Sequence, residues 1–305
     1  GYARWSQISA AAWSGFAAEL SGATGFDLGL EQRGGYDLHF SEECLEATVA
    51  KYEVLKAKLG GDYPYEVLGH NALRREEPAI GPKVVGAVLH HQDGHANPLK
   101  LLRALADDVR RLGGVILNGK QVTDVTKRDL FCITYADGTE VQAQKTVLSA
   151  GLGAMTLGPK LGFKAHIRPQ RGQVLITEKL PKLINRPSLI ARQMDEGGIQ
   201  IGATNEEVGL DDHVTQPGLS GLAAEAIAAF PVLAKAQLVR SWGALRILSP
   251  DGLPIYQQST EMPGAYLVTC HSGITLAAAH ARFLPSWLEA AGDAPDLEVF
   301  SEARF

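Results

Sequence analysis

Thr146-Val147-Leu148-Ser149-Ala150-Gly151-Leu152-Gly153 reads as a short β-branched strand that runs directly into small residues. A strand opening into a turn with little side-chain bulk is where an open α/β sheet admits a ligand at its strand ends. Upstream, Pro98 stands in the first turn of a helix whose Leu101, Leu102, Leu105, Val109 and Leu112 share one face, and Gly113-Gly114 closes it. Val115–Leu117 is predicted as a short buried strand, followed by strands over Val122–Thr126 and Phe131–Tyr135 with a turn at Asp137-Gly138. A helix followed by strands predicts a mainly parallel sheet around the opening stretch. Taken alone, the Gly151/Gly153 pair reads more readily as a tight turn than as a nucleotide site.

Downstream the texture changes. Strand-like runs at Gln173–Thr177, Ser188–Gln193 and Ile199–Ala203 alternate with turns, and an alanine-rich helix covers Leu219–Phe230, which predicts a second, mostly antiparallel unit. After Trp242 the chain returns to the first unit, with a strand at Ala265–Thr269 and a helix from about Ile274 to Ala290. Trp5, Ile8, Ala12, Phe16 and Leu20 recur at helical spacing and predict an opening helix that ends near Gly22. Gly34-Gly35 then separates Asp27–Gln32 from Tyr36–Phe40, two runs that read as a hairpin. Ser41 caps a helix to about Leu59, with Glu42 and Glu43 in its first turn. A short helix over Ala72–Glu77 is stopped by Pro78, and Val84–His91 reads as a strand.

The fold class this predicts is α/β (α+β), in two interleaved domains. Residues 1–22, 93–163 and 243–305 form one domain, and residues 23–92 and 164–242 the other. A chain of 305 residues exceeds what one hydrophobic core commonly organises, which agrees with two domains. The net charge of −5, without a long basic run, argues against a sequence-independent grip on nucleic acid. Cys44, Cys132 and Cys270 are scattered, which argues against a disulfide framework or a structural zinc site and suits a reducing compartment. No apolar run reaches bilayer length and the start lacks a basic-then-apolar signal pattern. The expected location is therefore cytoplasmic, with peripheral membrane association left open.

Three constellations carry candidate chemistry. In Trp242-Gly243-Ala244-Leu245-Arg246, followed by Asp251-Gly252-Leu253-Pro254-Ile255, Arg246 lies among apolar and small residues. Its planar fork of donors suits bidentate recognition of a carboxylate, and it suits equally a structural pair with an Asp or Glu of this chain. In Cys270-His271-Ser272-Gly273-Ile274-Thr275-Leu276, a strand-to-helix junction offers free amides and a helix dipole to negative charge. Small residues there let a flat ring approach closely. His271 lines a pocket or serves a structural hydrogen bond, and Ser272 reads equally as an N-cap; no Gly-x-Ser-x-Gly elbow surrounds it. The third is the Ala150–Gly153 turn itself. His90, His91 and His95 with Asp93 are close in sequence, but a strand and turn point them apart, so no metal site is predicted.

Read in order, Asp93–Pro98, Thr146–Gly151, Arg168-Pro169-Gln170-Arg171-Gly172-Gln173, Ile201-Gly202-Ala203-Thr204-Asn205-Glu206, Trp242–Arg246, Asp251–Ile255 and His271-Ser272-Gly273 resemble the D-amino-acid oxidase and glycine oxidase superfamily of FAD proteins. Cys270–Leu276 and the terminal Phe300-Ser301-Glu302-Ala303-Arg304-Phe305 are similar to the subgroup of opine oxidase, D-hydroxyproline dehydrogenase and hydrogen cyanide synthase subunits. The resemblance implies a Rossmann-like FAD-binding domain interleaved with an antiparallel substrate domain. It implies that Arg246 holds a substrate carboxylate, that His271 sits close to flavin and substrate, and that the backbone of Ser272, Gly273, Ile274 and Thr275 faces the flavin's pyrimidine edge. Ala150 and Gly151 are implied beside the ADP half and Val122 near the adenine. The implied reaction is oxidation of the C–N bond of an amino or imino acid (a D-amino acid, glycine, D-hydroxyproline or an opine) by hydride transfer to flavin N5. The implied partners are that small molecule and a second subunit that accepts electrons. The family's Gly-x-Gly-x-x-Gly turn does not occur in this sequence, so the chain is expected to begin after it. The rival reading is a cofactor-free, non-catalytic fragment or scaffold subunit.

Overall fold

A computed structural model describes residues 1–305. In chain order the elements are α1 (Tyr2–Thr24), β1 (Gly35–His39), α2 (Glu42–Lys58), β2 (Tyr65–Gly69), α3 (His70–Glu76), β3 (Gly86–His90) and α4 (Pro98–Arg111). They continue with β4 (Val122–Lys127), β5 (Phe131–Tyr135), β6 (Glu140–Ala143), β7 (Thr146–Leu148), α5 (Ala154–Leu157), β8 (Arg168–Lys179), β9 (Ala191–Gln193) and β10 (Gly198–Gly202). The last are α6 (Gln216–Ala229), β11 (Leu238–Leu248), β12 (Ile255–Gln258), β13 (Ala265–Thr269) and α7 (Ala277–Glu289). No helix is long and apolar enough to cross a membrane, and all three cysteines are free thiols.

Two compact units result. The first comprises Gly1–Ala12, Ala106–Gln170 and Arg246–Phe305. Its central sheet runs β12-β13-β7, with β13 antiparallel to β12 and parallel to β7, Ala265 facing Thr146 and Leu267 facing Leu148. Because β7 and β13 run the same way, Ser149-Ala150 and Cys270-His271 leave the sheet at the same end. A separate antiparallel sheet, β4-β5-β6, packs Val125 and Phe131 into the same core as Leu148, Ile255 and Leu267. The expected mainly parallel sheet is thus reduced to one parallel pair, because β4 to β6 pair with one another through short turns. Val115–Leu117 is not the buried strand expected: the three residues are exposed and have no strand pairing. Apolar composition alone does not make a strand without a partner. Likewise, of the apolar face predicted for α4 only Leu101 is buried, while Leu102, Val109 and, just past the helix end, Leu112 are exposed.

The second unit comprises Trp13–Leu105 and Arg171–Leu245. Its sheets run β1-β3-β2 and β11-β8-β10-β9, with a shared core of Tyr36, Leu89, Leu175, Ile199, Leu222 and Phe230. The Ser41 cap forms as expected, its hydroxyl accepting from the Cys44 amide at 3.3 Å. The hairpin predicted around Gly34-Gly35 does not form. β1 pairs instead with β3, which is buried along most of its length, and Glu31 bridges His95. A distant apolar strand offers more burial than the local partner, so it wins. Arg171–Gln173 and Ile201–Glu206 meet in this unit. Arg171, 3% exposed, donates to Glu206 and to Asp211, and its backbone exchanges hydrogen bonds with that of Glu206. Gln173 joins them, donating to Glu206 and Thr215. Their role here is to satisfy buried polar groups between strands.

Glu77 is fully buried, and its Oε2 accepts from the Asn185 and Arg186 amides at 2.8 and 3.3 Å. Burial raises its pKa from 4.5 to about 7. Between those values the folded chain holds a proton that the unfolded chain has lost, so stability falls as pH rises through this window. Glu77→Gln is expected to flatten that slope and to stabilise the protein at pH above the window by up to roughly 3 kcal/mol. Denaturant melts across the pH range check it, and an unchanged slope rejects the assignment.

Candidate functional site

Arg246 lies in β11 where the chain re-enters the first unit. It is half-buried, and one terminal nitrogen donates to the Gln170 side chain at a long 3.5 Å. Loss of water around the guanidinium pulls its pKa down, yet a guanidinium so far from neutrality stays charged. His271 is exposed over its surface as a whole, but its ring loses enough water to lower its pKa, and the positive charge of Arg246 lowers it further. The structure therefore places the two predicted catalytic residues in electrostatic reach of each other, one charged and one neutral.

Past His271 the chain forms a turn before α7 begins. The Leu276 amide donates to the Ser272 carbonyl at 3.0 Å and the Ala277 amide to the Ile274 carbonyl at 3.2 Å. The expected helix start near Ile274 is thus displaced to Ala277, and its N-cap is Leu276, which has no capping side chain. Ser272 is not that N-cap; its hydroxyl accepts from the Tyr2 phenol at 2.8 Å. A Cβ added at Gly273 would meet nothing within 4 Å, so the chain's own packing does not demand a glycine there. Space is left beside the Gly273 and Ile274 backbone, both exposed, for a flat group to approach.

Val122 and Ala150 come together as well. They line a hollow of about 740 Å³ with Thr146, Leu148 and Ser149. Gly151 is not among its lining residues. Its φ of +58° and the Ile247 methyl, 3.1 Å from where a Cβ would stand, account for the glycine structurally.

Under the turn lies a polar network that the sequence reading missed. Tyr256, 2% exposed, accepts from the Trp5 indole at 3.0 Å and bonds His280 Nε2 at 2.7 Å. Burial pulls the His280 pKa to about 4, so its ring is neutral, and one proton is shared between Nε2 and the Tyr256 hydroxyl. Burial also pushes the Cys270 thiol up to about 11, which removes it as a thiolate nucleophile. Trp5 was visible in the sequence as an apolar position on α1, but nothing there marked its indole N–H as the tie to Tyr256.

The chain is similar to several known proteins. The family described as DAO, FAD dependent oxidoreductase, matches residues 1–287. A subunit of the opine oxidase of Rhizobium meliloti is 37% identical over 306 residues, covering 100% of this chain and 82% of that protein. The hydrogen cyanide synthase subunit HcnC of Pseudomonas aeruginosa is 31% identical over 248 residues, covering 78% of this chain and 59% of that one. The crystal structure of glycine oxidase from Geobacillus kaustophilus superposes with a TM-score of 0.90 at 24% identity, over 98% of this chain and 82% of that chain, and shows the shared fold.

Because Arg246 holds the His271 pKa down, Arg246→Met is expected to raise it towards the ordinary histidine value. An NMR titration of the imidazole reads this directly, and an unmoved midpoint would show that the two groups are not coupled.

Proposed function

This chain belongs to the DAO family of FAD-dependent oxidoreductases, and we propose that the amino or imino acid it oxidises is held by the Arg246 guanidinium. The observation that carries this reading is the half-buried, dehydrated guanidinium beside a neutral His271, on the unit whose two parallel strands end together. A carboxylate placed against such a group gains charge-assisted hydrogen bonds that water no longer weakens.

The residues present fit FAD. The open space at Gly273 admits a flat ring, and the hollow at Val122, Ser149 and Ala150 has the apolar wall that an adenine half requires. In this reading the Ser272–Thr275 backbone faces the flavin's pyrimidine edge, and Val122 and Ala150 lie beside the ADP half. When bound, FAD supplies the acceptor for the hydride and its two electrons. Arg246 fixes the acid end of the substrate and so restricts its α-carbon to one orientation. His271, held neutral, adds no positive charge to oppose the substrate nitrogen. Orientation and exclusion of water then do most of the catalytic work, and loss of one amine proton is the acid–base demand. The first unit serves the cofactor in this reading, and the second the substrate.

The 37% identity to an opine oxidase subunit, and the match to a hydrogen cyanide synthase subunit, support a chain that works as one subunit of a larger enzyme. Its substrate is then a small amino or imino acid such as glycine or an opine, and its electrons pass to a partner subunit.

Arg246→Ala is expected to lower kcat/KM for carboxylate substrates on the order of 100-fold, chiefly through KM, which is what loss of a charge-assisted bidentate pair costs. Steady-state kinetics check it, and wild-type constants reject the clamp. For the subunit reading, the holoenzyme is expected to reduce an artificial dye faster than it consumes oxygen. Rapid oxygen uptake by this chain alone would reject electron transfer to a partner.

A further inference from the structure

We propose that α1 sets the conformation of the Ser272–Leu276 turn, with Ser9 as a positioning residue for the backbone that faces the flavin. The inference rests on the reading that this turn lies against FAD. Tyr2 and Ser9 stand seven residues apart, so they share one face of α1 two turns apart, with Trp5 between them. All three reach the C-terminal segment of the same unit. Tyr2 donates to Ser272 Oγ at 2.8 Å, and Trp5 donates to the Tyr256 hydroxyl at 3.0 Å. The Ser9 hydroxyl donates to the Thr275 carbonyl at 2.6 Å and accepts from the Ala279 amide at 3.2 Å.

The second Ser9 bond is the informative one. A helix normally takes its capping oxygen from its own N-cap residue, with Ser, Thr, Asp or Asn there accepting from the amide two or three residues on. At the cap of α7 stands Leu276, which has no side-chain oxygen to offer. Ala279 is the third residue after it, and the oxygen that satisfies its amide comes from α1 instead. The first turn of α7 is therefore capped from another helix. The same hydroxyl fixes the carbonyl at one end of the turn while Tyr2 fixes the side chain at the other. Between these two ties lie Gly273 and Ile274, whose exposed amides take no part in them.

A serine inside a helix ordinarily turns its hydroxyl to a carbonyl of the preceding turn. Ser6 does so towards the Ala3 carbonyl and Thr24 towards the Leu20 carbonyl, both on α1. Ser9, 0% exposed, is directed to the junction instead. Moving this contact would move amides that meet the ring, so Ser9 acts on the cofactor without touching it.

The test uses the full chain loaded with FAD, in three variants. Ser9→Ala is expected to weaken FAD affinity about tenfold, the size of a lost cap and its neighbouring bond. It is also expected to shift the visible spectrum of the bound flavin and to speed amide exchange at Ala279 while β13 keeps its protection. Tyr2→Phe, which removes only a hydroxyl from a half-exposed ring, is expected to shift the spectrum in the same direction by a smaller amount. Wild-type FAD affinity and spectrum in Ser9→Ala would overturn the proposal. So would a loss of affinity accompanied by faster exchange throughout the unit, which marks a merely structural serine. Gly273→Val separates this from the underlying site reading. If it leaves FAD binding intact, the turn does not face the flavin and the site reading itself fails; if it abolishes binding while Ser9→Ala does nothing, the brace alone is wrong.

Discussion

The parallel pairing of β7 with β13, Thr146 against Ala265 through Leu148 against Leu267, is the constraint on which the candidate site depends. Two segments far apart in sequence leave this sheet at one end. One continues into Ser149-Ala150 and the other into Cys270-His271 and the turn that precedes α7. A shift of one residue in this register would turn either Leu148 or Leu267 out of the core and displace one exit relative to the other. Burial of these two leucines with Ile255 and Phe131 holds the register, so the site's geometry is an outcome of core packing.

The same exclusion of water sets the charge state around the turn. It keeps Cys270 a thiol and His280 and His271 neutral, while Arg246 retains its charge. The buried His280 imidazole, its pKa pulled to about 4, and the protonated Cys270 thiol are weak bases, and a charged guanidinium offers an anchor. That division suits chemistry in which the cofactor takes the hydride and the protein supplies position. The buried polar groups beneath are satisfied by one another, Trp5 to Tyr256 to His280, so the turn stands on a support whose hydrogen bonds close internally.

Much of the secondary structure was legible because it rests on local physics. The Ser41 cap, Pro98 in a first turn, the αL glycine Gly113 after α4, and strand β13 over Ala265–Thr269 all follow from residue type and short-range spacing. What failed were readings that needed a distant partner. Tyr36–Phe40 looked like one arm of a local hairpin, yet its strand pairs with β3. Val115–Leu117 looked like a buried strand and is exposed, because apolar residues specify a wish for burial without naming a neighbour.

For the site, the sequence alone determined the chemistry on offer: one arginine among small residues, a histidine and a glycine at a strand-to-helix junction, and a set of stretches similar to one flavoprotein family. Those are properties of residue identity and order, and they survive without coordinates. Only the tertiary structure decided that Arg246 acts on His271, that Leu276 rather than Ser272 caps α7, and that the capping oxygen comes from Ser9 on the opening helix. The reason is range. A charge interaction or a hydrogen bond acts over a few ångströms, and which groups come that close is set by how the sheet and helices pack, not by how many residues separate them.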